Sequence, residues 1–143
     1  MMDRQQAEAT TVETTAPAPV KAFAALMGLL ILLQAFLGGR GFFVDTDLLK
    51  VHRYLGIVTF IVAVIQILVV FTMMPSGRFR SMLLGMSGFI MLLTVVQLML
   101  GFSAKDGSGE AAAWHIFTGV FLTGAIAAYA NTAFRTGANS RGF

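Results

Sequence analysis

The stretch Leu49–Met73, LKVHRYLGIVTFIVAVIQILVVFTM, decides the fold. Its two charges, Lys50 and Arg53, stand near its start, and none follows from Tyr54 to Met73. A helix needs roughly 20 mostly apolar residues to cross about 30 Å of hydrocarbon. This segment has that length and contains no proline. Three others match it, at about Val20–Gly38, Ser81–Phe102 and Ala111–Phe134. The breaks are Gly38-Gly39-Arg40-Gly41, Pro75-Ser76-Gly77-Arg78 and Lys105-Asp106-Gly107-Ser108-Gly109. Strands are disfavoured, because open sheet edges go unsatisfied in lipid and four strands cannot close a barrel. The expected fold is an all-α membrane protein, a four-transmembrane-helix up-down bundle over residues 20–134.

Composition agrees. Only 12% of the 143 residues are charged and 57% are hydrophobic. A soluble domain carries about 25% charged residues, so lipid must solvate much of this surface. There is no cysteine, which excludes disulfides, thiolate metal sites and thioether-attached haem. The net charge of +3 is small and scattered and does not point to nucleic acid.

Residues 1–19 differ in kind, being rich in Thr, Ala, Gln and Glu and including Ala16-Pro17-Ala18-Pro19. They read as a disordered tail rather than a signal peptide, since acidic residues precede the apolar run. Residues 135–143 form a second tail. With four spans both tails share one side with the Pro75–Arg78 break. That side carries Arg4, Lys21, Arg78, Arg80, Arg135 and Arg141, against Arg40, Lys50, Arg53 and Lys105 on the other. The positive-inside rule then puts both termini in the cytoplasm. The expected setting is the cytoplasmic membrane of a bacterium or archaeon.

A single constant displacement lays Gln34 on Gln97, Leu37 on Leu100, Gly38 on Gly101, His52 on His115 and Gly56 on Gly119, without a gap. Leucine matches in apolar helices mean little. The two histidines of the chain, each followed at i+4 by glycine, are far harder to match by chance. The bundle is therefore expected to consist of two tandem two-helix repeats. Each histidine lies within about a turn of the start of the second or fourth helix. Those helices run the same way and are diagonal in an up-down bundle, so both imidazoles reach the centre at one depth, near the extracytoplasmic face.

Two imidazoles facing each other across an axis suit the axial positions of one haem iron. On this reading His52 and His115 are the ligands of one non-covalent haem b. Gly56 and Gly119, at i+4, let the flat macrocycle approach the backbone, and Gly38 and Gly101 either do the same or end their helices. Arg53, with Lys50 and Arg40, stands near the level where propionates would emerge. Trp114 and Tyr54 close the pocket or sit at the membrane interface. Gln34 and Gln97 bond between helices or line the pocket, and Gln66, with no identical mate, is a local packing residue. The bland alternative keeps each histidine as a tolerated boundary residue and each glycine as a helix-packing device. Zinc or copper would want three or four ligands. Of the carboxylates on offer, Asp45, Asp47 and Glu110, Asp47 falls on Glu110 at the offset that matches the histidines, while Asp45 falls on Ser108.

The runs Gln34-Ala35-Phe36-Leu37-Gly38 and His52-Arg53-Tyr54-Leu55-Gly56, with their echo from Gln97 to Gly119, resemble one half of haem A synthase. The likeness covers roughly Leu26–Tyr129 and extends to short four-helix bacterial membrane proteins carrying a His-Arg-Tyr-Leu-Gly type motif. It implies a haem-binding bundle with His52 and His115 as axial ligands. The family's glutamate three residues before a histidine is replaced here by Leu49 and Ala112, and its outer-loop cysteine pair is absent. No catalytic residue carries over, so the resemblance implies haem binding without the synthase activity.

The leading expectation is thus a bis-histidine b-type cytochrome, transferring electrons or carrying haem within a larger membrane complex or to a redox partner. A cofactor-free accessory subunit is the second reading. It draws on a methionine-rich, lipid-facing surface of Met73, Met74, Met82, Met86, Met91 and Met99. The third is a half-length haem-modifying enzyme acting as a homo-oligomer.

Overall fold

A computed structural model describes residues 15–135. The tail assignments for residues 1–14 and 136–143 lie outside the described residues. Four α-helices follow in order: α1 (Ala18–Phe43), α2 (Leu48–Met73), α3 (Arg78–Lys105) and α4 (Gly109–Phe134). There is no strand among the described residues. All four helices are long and apolar enough to cross a membrane. A 26-residue helix such as α1 is about 39 Å long at 1.5 Å per residue, more than the hydrocarbon core requires. The chain is a multi-pass membrane protein of the four-helix-bundle class.

Local chemistry sets the ends. Pro19 falls in the first turn of α1, where a missing N–H costs nothing. Ser108 caps α4, its Oγ accepting from the Ala111 N–H at 3.1 Å. Gly107, just before it, has φ of 100°, a conformation that a side chain would strain. The first helix does not stop at Gly38-Gly39, as the glycine run suggests, but continues helically to Phe43. In a membrane no water competes for the backbone groups, so glycines that would break a soluble helix stay hydrogen-bonded within it.

Short turns at Val44–Asp47, Met74–Gly77 and Asp106–Ser108 make successive helices antiparallel. Each helix packs on its two ring neighbours, α4 closing back on α1, and the backbones of neither diagonal pair come close. The histidine-bearing helices α2 and α4 are one of those diagonals.

Burial divides along the bundle axis. The fully buried apolar residues are Val20, Ala24 and Met27 of α1, Ala63 and Val70 of α2, Leu83 and Ile90 of α3, and Tyr129 and Ala133 of α4. They fill the half that contains the chain termini. Beyond Leu30, Thr59, Thr94 and Leu122 the buried residues are few, and the inward-facing positions are half-buried. The outer surface is apolar, with Leu32 65%, Ile116 68% and Phe43 82% exposed. A water-soluble monomer rarely presents so much contiguous apolar surface. The expected lipid-facing methionine surface is only partly present: Met73, Met82 and Met99 are exposed, but Met74 is buried and Met86 and Met91 pack against the core. Their places on the inward stripes of the helices, not their residue type, decide this.

Candidate functional site

The half-buried end of the bundle is organised around the histidines. His52 Nδ1 lies 3.0 Å from the main-chain oxygen of Gln34 on α1. The Gln34 side chain returns the bond, its Nε2 donating to the His52 carbonyl at 3.0 Å. The same exchange joins α3 and α4. His115 Nδ1 lies 3.0 Å from the Gln97 oxygen, and Gln97 Nε2 donates to the His115 carbonyl at 2.9 Å. Every one of these partners is related to its counterpart by the displacement that carries His52 onto His115. One difference breaks the match: Gln97 Nε2 also donates to Thr118 Oγ1, whereas the counterpart position is Leu55.

The glycines explain how the exchange fits. A Cβ on Gly38 would lie 3.1 Å from His52 Cε1, and one on Gly101 would lie 3.3 Å from His115 Cε1. On the partner helices, Gly56 would meet Gln34 Nε2 at 3.4 Å, and Gly119 would meet Gln97 Nε2 at 3.7 Å. Each polar side chain rests on a glycine of the neighbouring helix, and each helix supplies one of each, at i and i+4. The space expected to admit a macrocycle at these four positions is instead taken by imidazole and carboxamide. Here the glycines give room for close helix approach, as small residues in membrane helices do.

The carbonyl partners also fix the tautomer. A main-chain oxygen can only accept, so Nδ1 of each histidine carries the proton. Nε2 is then the basic nitrogen, its lone pair available to a ligand. Metal-binding histidines are held the same way, by a carbonyl or carboxylate on the other ring nitrogen. The two ring centres are 5.8 Å apart, with planes at 84°. Two imidazoles trans on one metal, at about 2 Å per bond, have centres roughly 6 Å apart. The side chains span a diagonal that the backbones of α2 and α4 do not.

Other expected site residues lie further out. Arg53 is half-buried beside His52, its Nε donating to the Leu49 carbonyl at 3.3 Å. Lys50 is tied to Asp47 at 2.9 Å on the surface. Tyr54 and Trp114 are 73% and 51% exposed, which puts them on the outer face as interfacial residues rather than as walls. Among the described residues no three His, Cys, Asp or Glu side chains assemble. Asp45, Asp47 and Glu110 thus do not form such a group with the histidines. Leu49, where the resemblance would want a glutamate, sits against Gly41 in the α1–α2 contact.

One group of polar residues was not anticipated. Gln66, Ser87 and Tyr129 are all fully buried in the other half of the bundle. Gln66 falls on Tyr129 under the same displacement, a match in polarity rather than in identity that the sequence carries. Comparison with protein-family models, with curated proteins and with solved structures finds no match for this chain.

Proposed function

We propose that the chain is a b-type cytochrome of the membrane, holding one haem b between His52 and His115. The observation that carries this reading is the paired imidazole geometry. Both rings present an unprotonated Nε2, both are fixed through Nδ1, and their centres are 5.8 Å apart across a diagonal. A two-ligand site suits an iron whose other four positions belong to a macrocycle, and suits zinc poorly. The division of burial is a second support, since closely packed apolar side chains end where the histidines begin.

A haem held by His52 and His115 would supply one-electron chemistry in preference to oxygen activation. The chain's own residues have separate tasks. The Gln34 and Gln97 main-chain oxygens hold the tautomer that leaves Nε2 free to meet a ligand. Arg53 offers guanidinium charge at the level where carboxylates of the ligand would meet the headgroups. The recurrence of the same contacts in both halves of the chain supports duplication of a two-helix unit, and the arginine bias supports cytoplasmic termini and an extracytoplasmic haem.

Titration of haem into the purified apoprotein tests the assignment: saturation at one haem per chain is expected, with a low-spin ferric spectrum. Near-perpendicular imidazole planes predict a strongly anisotropic low-spin electron paramagnetic resonance signal rather than the rhombic one of parallel planes. A high-spin or five-coordinate product contradicts bis-histidine ligation.

The Gln–His exchange also favours a second reading, in which it serves only to clasp helices in a cofactor-free accessory subunit. That reading predicts that the protein binds no haem and that replacing both histidines impairs helix packing alone.

A further inference from the structure

The buried polar group in the opposite half of the bundle has an unbalanced hydrogen-bond account. Gln66 Nε2 donates to Ser87 Oγ at 3.2 Å, linking α2 to α3. Gln66 Oε1 and the Tyr129 hydroxyl are both buried and have no partner. Ser87 stands close to the tyrosine, but no hydrogen bond joins the two. What remains is one donor, the Tyr129 O–H, and one acceptor, Gln66 Oε1. Leaving either dry inside a membrane protein is costly.

The location repeats the logic of the histidine site. Gln66 follows His52 at the same interval as Tyr129 follows His115. That interval is close to four turns of an α-helix, so each pair shares an inward face, about 21 Å apart along the axis. Helices α2 and α4 thus each bring a second polar group into the interior, at a depth where the core is otherwise closely packed by Leu83, Ile90 and Ile126.

We propose that this site binds a single water molecule, accepting from the Tyr129 hydroxyl and donating to Gln66 Oε1, with Ser87 Oγ as its third neighbour. The chemistry of the site selects this ligand. All three groups are neutral, so an anion has no cation to meet. Three oxygens and an amide fall short of the six to eight oxygens a calcium ion takes. Gln66, Ser87 and Tyr129 are each 0% exposed, which leaves no route for an extended organic ligand. Buried water typically has two to four polar partners, and three are here. The water ties α2, α3 and α4 together at the level where the histidine clasps do not reach.

A crystal structure of the full-length protein in a lipidic phase, at a resolution that shows ordered solvent, tests this. One solvent peak is expected within about 2.7–3.2 Å of both Gln66 Oε1 and the Tyr129 oxygen. A direct bond between the two side chains overturns the proposal, and so does an absent peak with both atoms still unpartnered. Thermal melting gives a second readout. Gln66→Met and Tyr129→Phe each strand the other's partner, so the double variant is expected to melt above both single variants. Losses that simply add overturn a shared ligand.

Discussion

At the scale of the residue, the glycines separate two explanations that the sequence leaves open. Their spacing from the histidines is visible in the chain, but spacing cannot show what occupies the missing side chain's place. Here it is protein: His52 against Gly38, Gln34 against Gly56, and the same on the other side. Gly38→Ala would press a methyl on the imidazole edge. We expect haem binding to weaken about tenfold, within the roughly 1–3 kcal/mol range of overpacking. Gly39→Ala is the matched control, since nothing lies within 4 Å of its added carbon. It should leave the haem titration unchanged and be neutral or stabilising by up to about 1 kcal/mol. Gln97→Leu removes the carboxamide but not the carbonyl that holds His115. It should therefore lower stability by about 0.5–1.5 kcal/mol per lost bond while the low-spin haem spectrum survives. Equal loss of both would show that the carboxamide, not the backbone, positions the imidazole.

At the scale of the element, the four helices were legible because apolar length has one main interpretation in a chain this poor in charge. Their ends were less so. The glycine-rich run at Gly38–Gly41 looks like a terminator, yet Gly38 and Gly41 are the points where α1 meets His52 and Leu49, and the helix runs on to Phe43. A sequence shows that glycine is permissive, not whether a neighbour uses the room. The start of α4 is different, because Gly107 and Ser108 carry an explicit turn-and-cap signal. Ser108→Ala strands the Ala111 N–H and should cost about 1 kcal/mol, read as an earlier unfolding transition in detergent. An unchanged transition would mean that the first turn of α4 is satisfied by the interface instead.

At the scale of the whole molecule, the diagonal arrangement was legible from topology alone, since short turns and an even number of spans leave few alternatives. The separation of a closely packed half from a histidine half was not, because half-burial depends on how four helices lean together rather than on any residue type. Orientation is open to a simple experiment in a chain without cysteine. Single cysteines at Ser76 and at Asp106 lie in turns on opposite ends of the bundle. In intact cells an impermeant thiol reagent should label Asp106→Cys and spare Ser76→Cys. The reverse pattern would put the histidines on the cytoplasmic side.

The central claim is that iron sits between His52 and His115. The dithionite-reduced minus oxidised spectrum of the full-length protein, purified from haem-replete cells, tests it most directly. The paired imidazoles predict the sharp difference bands of a six-coordinate b-type haem in the wild type, lost or converted to a high-spin form in both His52→Ala and His115→Ala. A wild-type protein with no haem absorbance, or bands that persist unchanged in both variants, would contradict it.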